Sequence, residues 1–204
     1  MTVVPREWPL PEPKPVYLDN KYFLVVVDMQ KEYCDPSGSK FFNEARLIIP
    51  NTKNLLSIFR ANHLKIFYTV VAFKIGDMRF RGLEHRLKPL KDEPGFEIVE
   101  QLRPRENEII VEKDCYDPFY SSDIEELLIK EGLKPFESTA VVTGVVTTTC
   151  VYHTISGLFH RGYKVVVPID CVADRTIMAQ RFGLWKFVTL YNTILTMSGM
   201  IKKQ

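Results

Sequence analysis

Three side chains able to share a proton stand at the ends of three apolar runs in this 204-residue chain. Asp28 closes the run Tyr22-Phe-Leu-Val-Val-Val, Lys113 closes Glu108-Ile-Ile-Val-Glu, and Cys150 follows Ser138-Thr-Ala-Val-Val-Thr by way of Gly144. An acid, an ammonium and a thiol are the parts of a nucleophile with its base and its counter-charge. A free thiol titrates at about pH 8.5, so it is mostly protonated at neutral pH. A carboxylate in reach can remove that proton, while an ammonium or a helix N-terminus steadies the sulfur anion. Asp28 alone would oppose thiolate formation by like-charge repulsion, so Lys113 has to offset it. The proton shared between Asp28 and Cys150 makes the pair, rather than either residue, the titrating unit.

The setting of Cys150 separates it from Cys34, Cys115 and Cys171. A β-branched run breaks at Gly144, and a helical pattern over 148–162 follows, with Val151, Ile155, Leu158 and Phe159 on one face. A thiol at such a strand-to-helix turn meets the positive end of a helix, which favours the thiolate. The competing reading is a buried cysteine acting as a small hydrophobe. Cys115 is the rival thiol, but it has no glycine turn and no helix after it. His153 lies one helical turn after Cys150, yet a shared face does not bring an imidazole to the sulfur, so no Cys–His dyad is assigned. Asp28 as a mere turn cap fits poorly with five apolar neighbours. For Lys113, spacing alone leaves a solvated strand-end lysine as the default.

These side chains need a frame that brings strand ends together. Strands are expected over 22–28, 64–72, 108–113, 138–143, 163–169 and 193–197, the first a continuous apolar run buried on both faces. Helices are expected from Pro50 through Arg60, from the capping-box match Ser122-x-x-Glu125 to a stop at Gly132, and over 148–162 and 176–191. Strands alternating with helices imply an α/β fold with a parallel sheet covered on both faces. In such a sheet ligands bind beyond the carboxyl ends of the strands, where Asp28, Lys113 and Cys150 all fall.

Residues 73–106 are charged and broken by glycine and proline, so loops with short helical pieces are expected. So long a connection inside a domain is usually functional, and it should wall a pocket. Arg79, Arg81 and Arg86 are candidates to clamp a substrate carboxylate, with a solvated or intersubunit role as the alternative. Tyr33, Phe41, Phe119 and Tyr120 are candidate pocket walls, with plain core the alternative. Residues 1–20 carry five of the thirteen prolines and read as an extended arm that can reach a neighbouring subunit, ahead of a single domain over 21–204.

A net charge of +2, with acids and bases interleaved, argues against nucleic acid or an anionic membrane as partner. No segment nears the roughly 20 apolar residues of a membrane span. The N-terminus lacks the apolar core of a signal peptide, so a cytoplasmic location is expected. The four cysteines show neither Cys-x-x-Cys nor zinc-type spacing and should be thiols in a reducing compartment, though a Cys34–Cys171 bridge stays open.

The segments Val-Val-Val-Asp28-Met-Gln, Val-Glu-Lys113-Asp-Cys-Tyr-Asp-Pro-Phe119, Thr143-Gly-Val-Val-Thr-Thr-Thr-Cys150-Val and Gly162-Tyr-Lys-Val-Val-Val-Pro-Ile-Asp170 resemble, in order, those of the isochorismatase-like cysteine hydrolases. Within that superfamily the N-carbamoylsarcosine and ureidoacrylate amidohydrolases are the nearest type. The resemblance covers most of 20–195. It implies a three-layer α/β/α sandwich on a mostly parallel six-stranded sheet, assembled as dimers or tetramers. It also implies an Asp28–Lys113–Cys150 triad and a cis peptide at Val145–Val146. The Val146 and Cys150 N–H groups would then form an oxyanion hole.

Nicotinamidases of the superfamily hold zinc through an Asp-x-His pair; here Asp77-Met-Arg79 lacks the histidine, so neither metal nor cofactor is expected. True isochorismatases cleave a vinyl ether without the cysteine. Its presence favours C–N hydrolysis of a small amide, ureido or carbamoyl substrate. The alternatives are an isochorismatase-type ether hydrolase with Cys150 as bystander, and a non-catalytic oligomeric binding protein.

Overall fold

Continuous β-branched and aromatic runs become the strands of a parallel sheet in the computed structural model, which describes residues 8–203. In chain order the strands are β1 Val16–Leu18, β2 Tyr22–Val27, β3 Lys65–Val71, β4 Ile109–Lys113, β5 Thr139–Val145, β6 Lys164–Pro168, β7 Val172–Ala173, β8 Ile194–Thr196 and β9 Ile201–Lys203. The helices are α1 Lys31–Cys34, α2 Asn43–Leu47, α3 Ile49–Ala61, α4 Pro118–Ser121, α5 Ile124–Lys130, α6 Tyr152–His160 and α7 Ile177–Tyr191. The central sheet runs in the order β4-β3-β2-β5-β6-β8, and β7 adds a short seventh strand beside β5. Every pairing in it is parallel.

Strand period dictates two cores. Phe23, Val25 and Val27 of β2 enter one; Leu24 and Val26 enter the other. All five are fully buried, as the unbroken apolar run requires. In register, Val27 faces Gly144 of β5. Gly144 has φ +116°, and a Cβ there would lie 2.0 Å from the Val27 carbonyl oxygen. Only glycine permits this approach.

Pro50 occupies the first turn of α3, as read from the sequence. The connection 73–106 is irregular, with 3₁₀ turns at Met78–Phe80, Glu84–Arg86, Pro94–Phe96 and Glu100–Leu102. Gly132, at φ +78°, follows α5 as expected. The capping box does not form. Asp123 takes the N-cap position, and Glu125 is drawn instead to Arg161 Nε at 2.5 Å. The helix expected over 148–162 also opens differently, as a π turn at Thr147–Val151 in which the Val151 N–H donates to the Val146 carbonyl at 3.2 Å.

Residues 8–18 lie along their own chain. Trp8 packs on Phe182 with ring centroids 5.4 Å apart, the Lys14 N–H donates to Leu195 O at 2.9 Å, and β1 pairs with β9. The first seven residues of the proline-rich arm fall outside the described residues. All four cysteines are free and buried, so no Cys34–Cys171 bridge exists. No helix among the described residues is long and apolar enough to cross a membrane.

Candidate active site

The chain leaves β2 toward β3 on one side of the sheet, and β5 leads to β6 on the other. The strand order therefore reverses between β2 and β5, which opens a crevice at their carboxyl ends. Asp28 is the first residue past β2, at φ +50°, a left-handed conformation that aspartate tolerates better than most residues. Its N–H donates to Thr69 O at 3.1 Å and its carbonyl accepts from the Gln30 N–H at 2.7 Å. Such backbone conformations gather where a side chain must be aimed.

Lys113 ends β4 in register with Val71 and reaches past the end of β3. Its Nζ donates to Asp28 Oδ2 at 2.7 Å and to the Cys115 carbonyl at 3.1 Å. The Thr69 hydroxyl donates to Asp28 Oδ1 at 2.7 Å. Each carboxylate oxygen thus has a buried donor, which makes a fully buried ion pair tenable.

Cys150 sits in the π turn, buried, where Asp28 and Lys113 are the charged groups that act on its thiol. The turn is anchored from α7 and from the segment before it. Asp174 Oδ2 accepts from the Thr148 N–H at 2.8 Å and the Thr148 hydroxyl at 2.6 Å. The Thr147 hydroxyl donates to Gln180 Oε1 at 2.7 Å, and Gln180 Nε2 donates to Val172 O at 2.9 Å. The Val145–Val146 peptide is cis.

Burial pushes the Cys150 thiol well above the ordinary range; Asp28 pushes it further, and Lys113 opposes both without cancelling them. This direction runs against the thiolate form that a strand-to-helix turn favours. The positive end of the turn and the ammonium are outweighed by desolvation and the neighbouring carboxylate. Lys113 responds to the same surroundings in the opposite sense. Burial pulls it down, but the neighbouring Asp28 carboxylate and Cys150 outweigh burial and raise it, so it stays charged. The raised thiol and the Lys113–Asp28 ion pair favour a neutral thiol beside the pair.

Cys150, Val145 and Val146 form the floor of a cavity of about 510 Å³. Tyr33 lines it, with its hydroxyl donating to Lys88 O at 3.0 Å. Phe41, Arg79 and Phe119, the other expected binding residues, stand elsewhere. Phe119 lies against Gly157, where a Cβ would come within 2.3 Å of its ring, and under the Arg161 guanidinium at 4.3 Å. Arg79 pairs with Asp77 and Asp114 and covers the ring of the exposed Tyr120. Phe41 is half-buried in the loop before α2. Arg81 is exposed, and the side chain of Arg86 lies outside what is described.

The cavity also takes residues that no pattern marked: Phe73, Tyr116, Lys40, Lys88 and Arg175. Tyr116 sits three residues past Lys113 in a block that carries the family resemblance, which is its signal in the sequence; the lone cations carry none. Cys115 is structural. Its thiol lies 3.4 Å from Asp117 O and from Ser121 Oγ, and its carbonyl steadies Lys113. His153 stacks on Tyr116 with centroids 6.0 Å apart, and burial lowers its pKa. No group of three or more His, Cys, Asp or Glu among the described residues is placed to hold a metal ion.

A parallel α/β sheet here brings a thiol, a carboxylate and an ammonium to its switch point, beyond the carboxyl ends of the strands where such sheets bind ligands. The chain belongs to the isochorismatase domain family, whose model matches residues 22–198. It is 20% identical to N-carbamoylsarcosine amidase of Arthrobacter sp over 191 residues, spanning 90% of this chain and 71% of the relative. It is 25% identical to ureidoacrylate amidohydrolase RutB of Variovorax paradoxus, spanning 94% and 84%. Among solved structures, N-carbamoylsarcosine amidase from Thermoplasma acidophilum superimposes with a TM-score of 0.75 at 26% identity, covering 87% of this chain and 96% of that one.

Proposed function

We propose that this protein is a metal-independent cysteine hydrolase that cleaves a C–N bond in a small linear amide or N-carbamoyl (ureido) compound. The observation that carries the reading is the buried contact of one carboxylate, Asp28, with both the Lys113 ammonium and the Cys150 thiol. Asp28 takes the thiol proton as Sγ attacks the substrate carbonyl carbon, so the sulfur is charged only in the act of bond formation. The N–H groups of Val146 and Cys150 receive the developing oxyanion. The proton passes from Asp28 to the leaving nitrogen, the C–N bond breaks and a thioester-type intermediate remains. Water then attacks that carbonyl, Asp28 accepts its proton, and the C–S bond breaks with the proton returned to sulfur. Lys113 keeps its charge throughout and offsets the negative charge that moves between Asp28, sulfur and oxyanion.

Arg175 and Lys40 line the same cavity, with Asp174 and with Lys88, whose ammonium is paired with Glu93, and the two cations suit a substrate with a carboxylate. The amidohydrolase names of the relatives support the same substrate class. Four free thiols suit a reducing, cytoplasmic compartment. Ile177 and Met178 of α7, 74% and 61% exposed, suit a homo-oligomer.

Intact-mass spectrometry during turnover of a panel of ureido acids and small amides tests the reading. We expect an acyl adduct on Cys150 with a productive substrate. Cys150→Ala and Cys150→Ser should fold normally and lose at least about a thousandfold in turnover. Ammonia release retained in both variants would rule out the covalent route.

A further inference from the structure

The cavity is larger and more sharply divided than a minimal amide requires. At about 510 Å³ it holds the liquid volume of about seventeen waters. A carbamoylated glycine, with only about eight non-hydrogen atoms, leaves much of that space unfilled. On the β3–β4 side the cavity is bounded by Phe73 and Tyr116, whose rings meet edge to face at 6.0 Å. Phe80, itself buried, braces both rings from behind at 5.1 and 5.5 Å. The Phe73 backbone is tied down as well, its N–H donating to Pro89 O at 3.1 Å. This is a preformed apolar wall whose rings are held by one another.

The cationic side lies across the floor, toward β7. Arg175 lies two residues past β7, after the lining residue Asp174, stacks over Phe42 at 4.7 Å and donates from Nη2 to Lys40 O at 3.0 Å. With Cys150 between them, the two sides demand a substrate that diverges from one atom close to the scissile carbonyl. An anionic arm points to Arg175 and Lys40, and an apolar arm points to Phe73 and Tyr116. An N-carbamoyl α-amino acid has that shape, because its carboxylate and side chain leave the same carbon.

Resting on the proposed cysteine-hydrolase reading, we infer that the preferred substrate is the N-carbamoyl derivative of an α-amino acid with a bulky apolar side chain, aromatic rather than small, in one enantiomeric form. The aromatic wall supplies binding that a glycine derivative cannot use.

Ammonia release by the full-length protein tests this with four compounds: the two enantiomers of N-carbamoylphenylalanine, N-carbamoylglycine, and phenethylurea, which lacks the carboxylate. One enantiomer of the phenylalanine derivative should exceed N-carbamoylglycine in kcat/KM by about tenfold or more, and exceed phenethylurea by a similar factor. Phe73→Ala should shrink the phenylalanine-to-glycine ratio, and Tyr116→Leu provides the same readout should Phe73→Ala fold poorly. Turnover of N-carbamoylglycine at an equal or higher kcat/KM would overturn the inference while leaving the cysteine-hydrolase reading intact. No turnover and no Cys150 adduct with any carbamoyl compound would overturn that reading, and the inference with it.

Discussion

Lys113 Nζ lies 2.7 Å from Asp28 Oδ2, with both side chains wholly withdrawn from solvent. Buried ion pairs seldom repay their desolvation as stability, and a well-packed apolar pair would often serve a fold as well. This one lies where it acts on the thiol of Cys150, the nucleophile of the proposed mechanism. The remaining oxygen of Asp28 is held by Thr69, which leaves the carboxylate little freedom to turn.

Removing one member of the pair should expose its dependence on the other. Lys113→Met leaves a buried carboxylate without its counter-charge and should lose about 3–5 kcal/mol at pH 7. The double variant Asp28→Asn with Lys113→Met should regain most of that stability. In the wild type Lys113 is raised on folding, so its contribution is whole below its unfolded value of 10.5 and lost as pH climbs through the higher folded value. Urea melts across pH check both; a Lys113→Met melt matching wild type at pH 7 would contradict the pairing.

The thiol has a pH signature of its own. Burial and Asp28 raise Cys150, so its alkylation by iodoacetamide should keep accelerating beyond pH 9. Asp28→Asn removes a raising influence and should move the profile to lower pH, while turnover is lost. Lys113→Met removes the lowering influence and should move it higher. A wild-type plateau below pH 8 would show a resting thiolate and refute the neutral-thiol assignment.

Thr69 acts through Asp28. Thr69→Val is close in shape but leaves Oδ1 without its donor, and a hydrogen bond to the charged form favours that form. We expect kcat to fall about tenfold to a hundredfold with KM little changed. Thr69→Ser should restore kcat. An unchanged kcat in Thr69→Val would assign Thr69 to packing alone.

Gly144 tests the close approach of β5 to β2. Gly144→Ala would set a Cβ 2.0 Å from Val27 O at a backbone angle that alanine disfavours, and should destabilise by about 3 kcal/mol or more. Gly199→Ala, where nothing lies within 4 Å, is the matched control and should melt within about 0.5 kcal/mol of wild type. Equal melts for the two variants would mean that the strands part without penalty.

Local chemistry was legible wherever a short stretch carries its own reason. The run 22–28 could only be a strand buried on both faces, and β2 is one. Helix α7 opens where Thr176 accepts the Ala179 N–H at 3.2 Å and closes at Asn192 with φ +48°, as the reading over 176–191 required. Elements whose partner is remote were not legible. The two residues of β7 and the Ile-Lys-Lys of β9 carry no strand pattern and exist because β5 and β1 lie beside them. Glu125 was assigned to a cap, but Arg161, far along the chain, holds it instead.

The same division runs through the site. The order and types of Asp28 and Cys150, with the family resemblance that added Lys113, pointed to an acid, a cation and a thiol at one end of the sheet, because a parallel sheet aligns its strand ends whatever the sequence distance between them. Which protonation state prevails there belonged to the tertiary structure, since desolvation depends on everything packed around the sulfur. The same holds for the cavity: Phe73, Tyr116 and Arg175 come from three separate connections, and only their folding around one volume makes them neighbours.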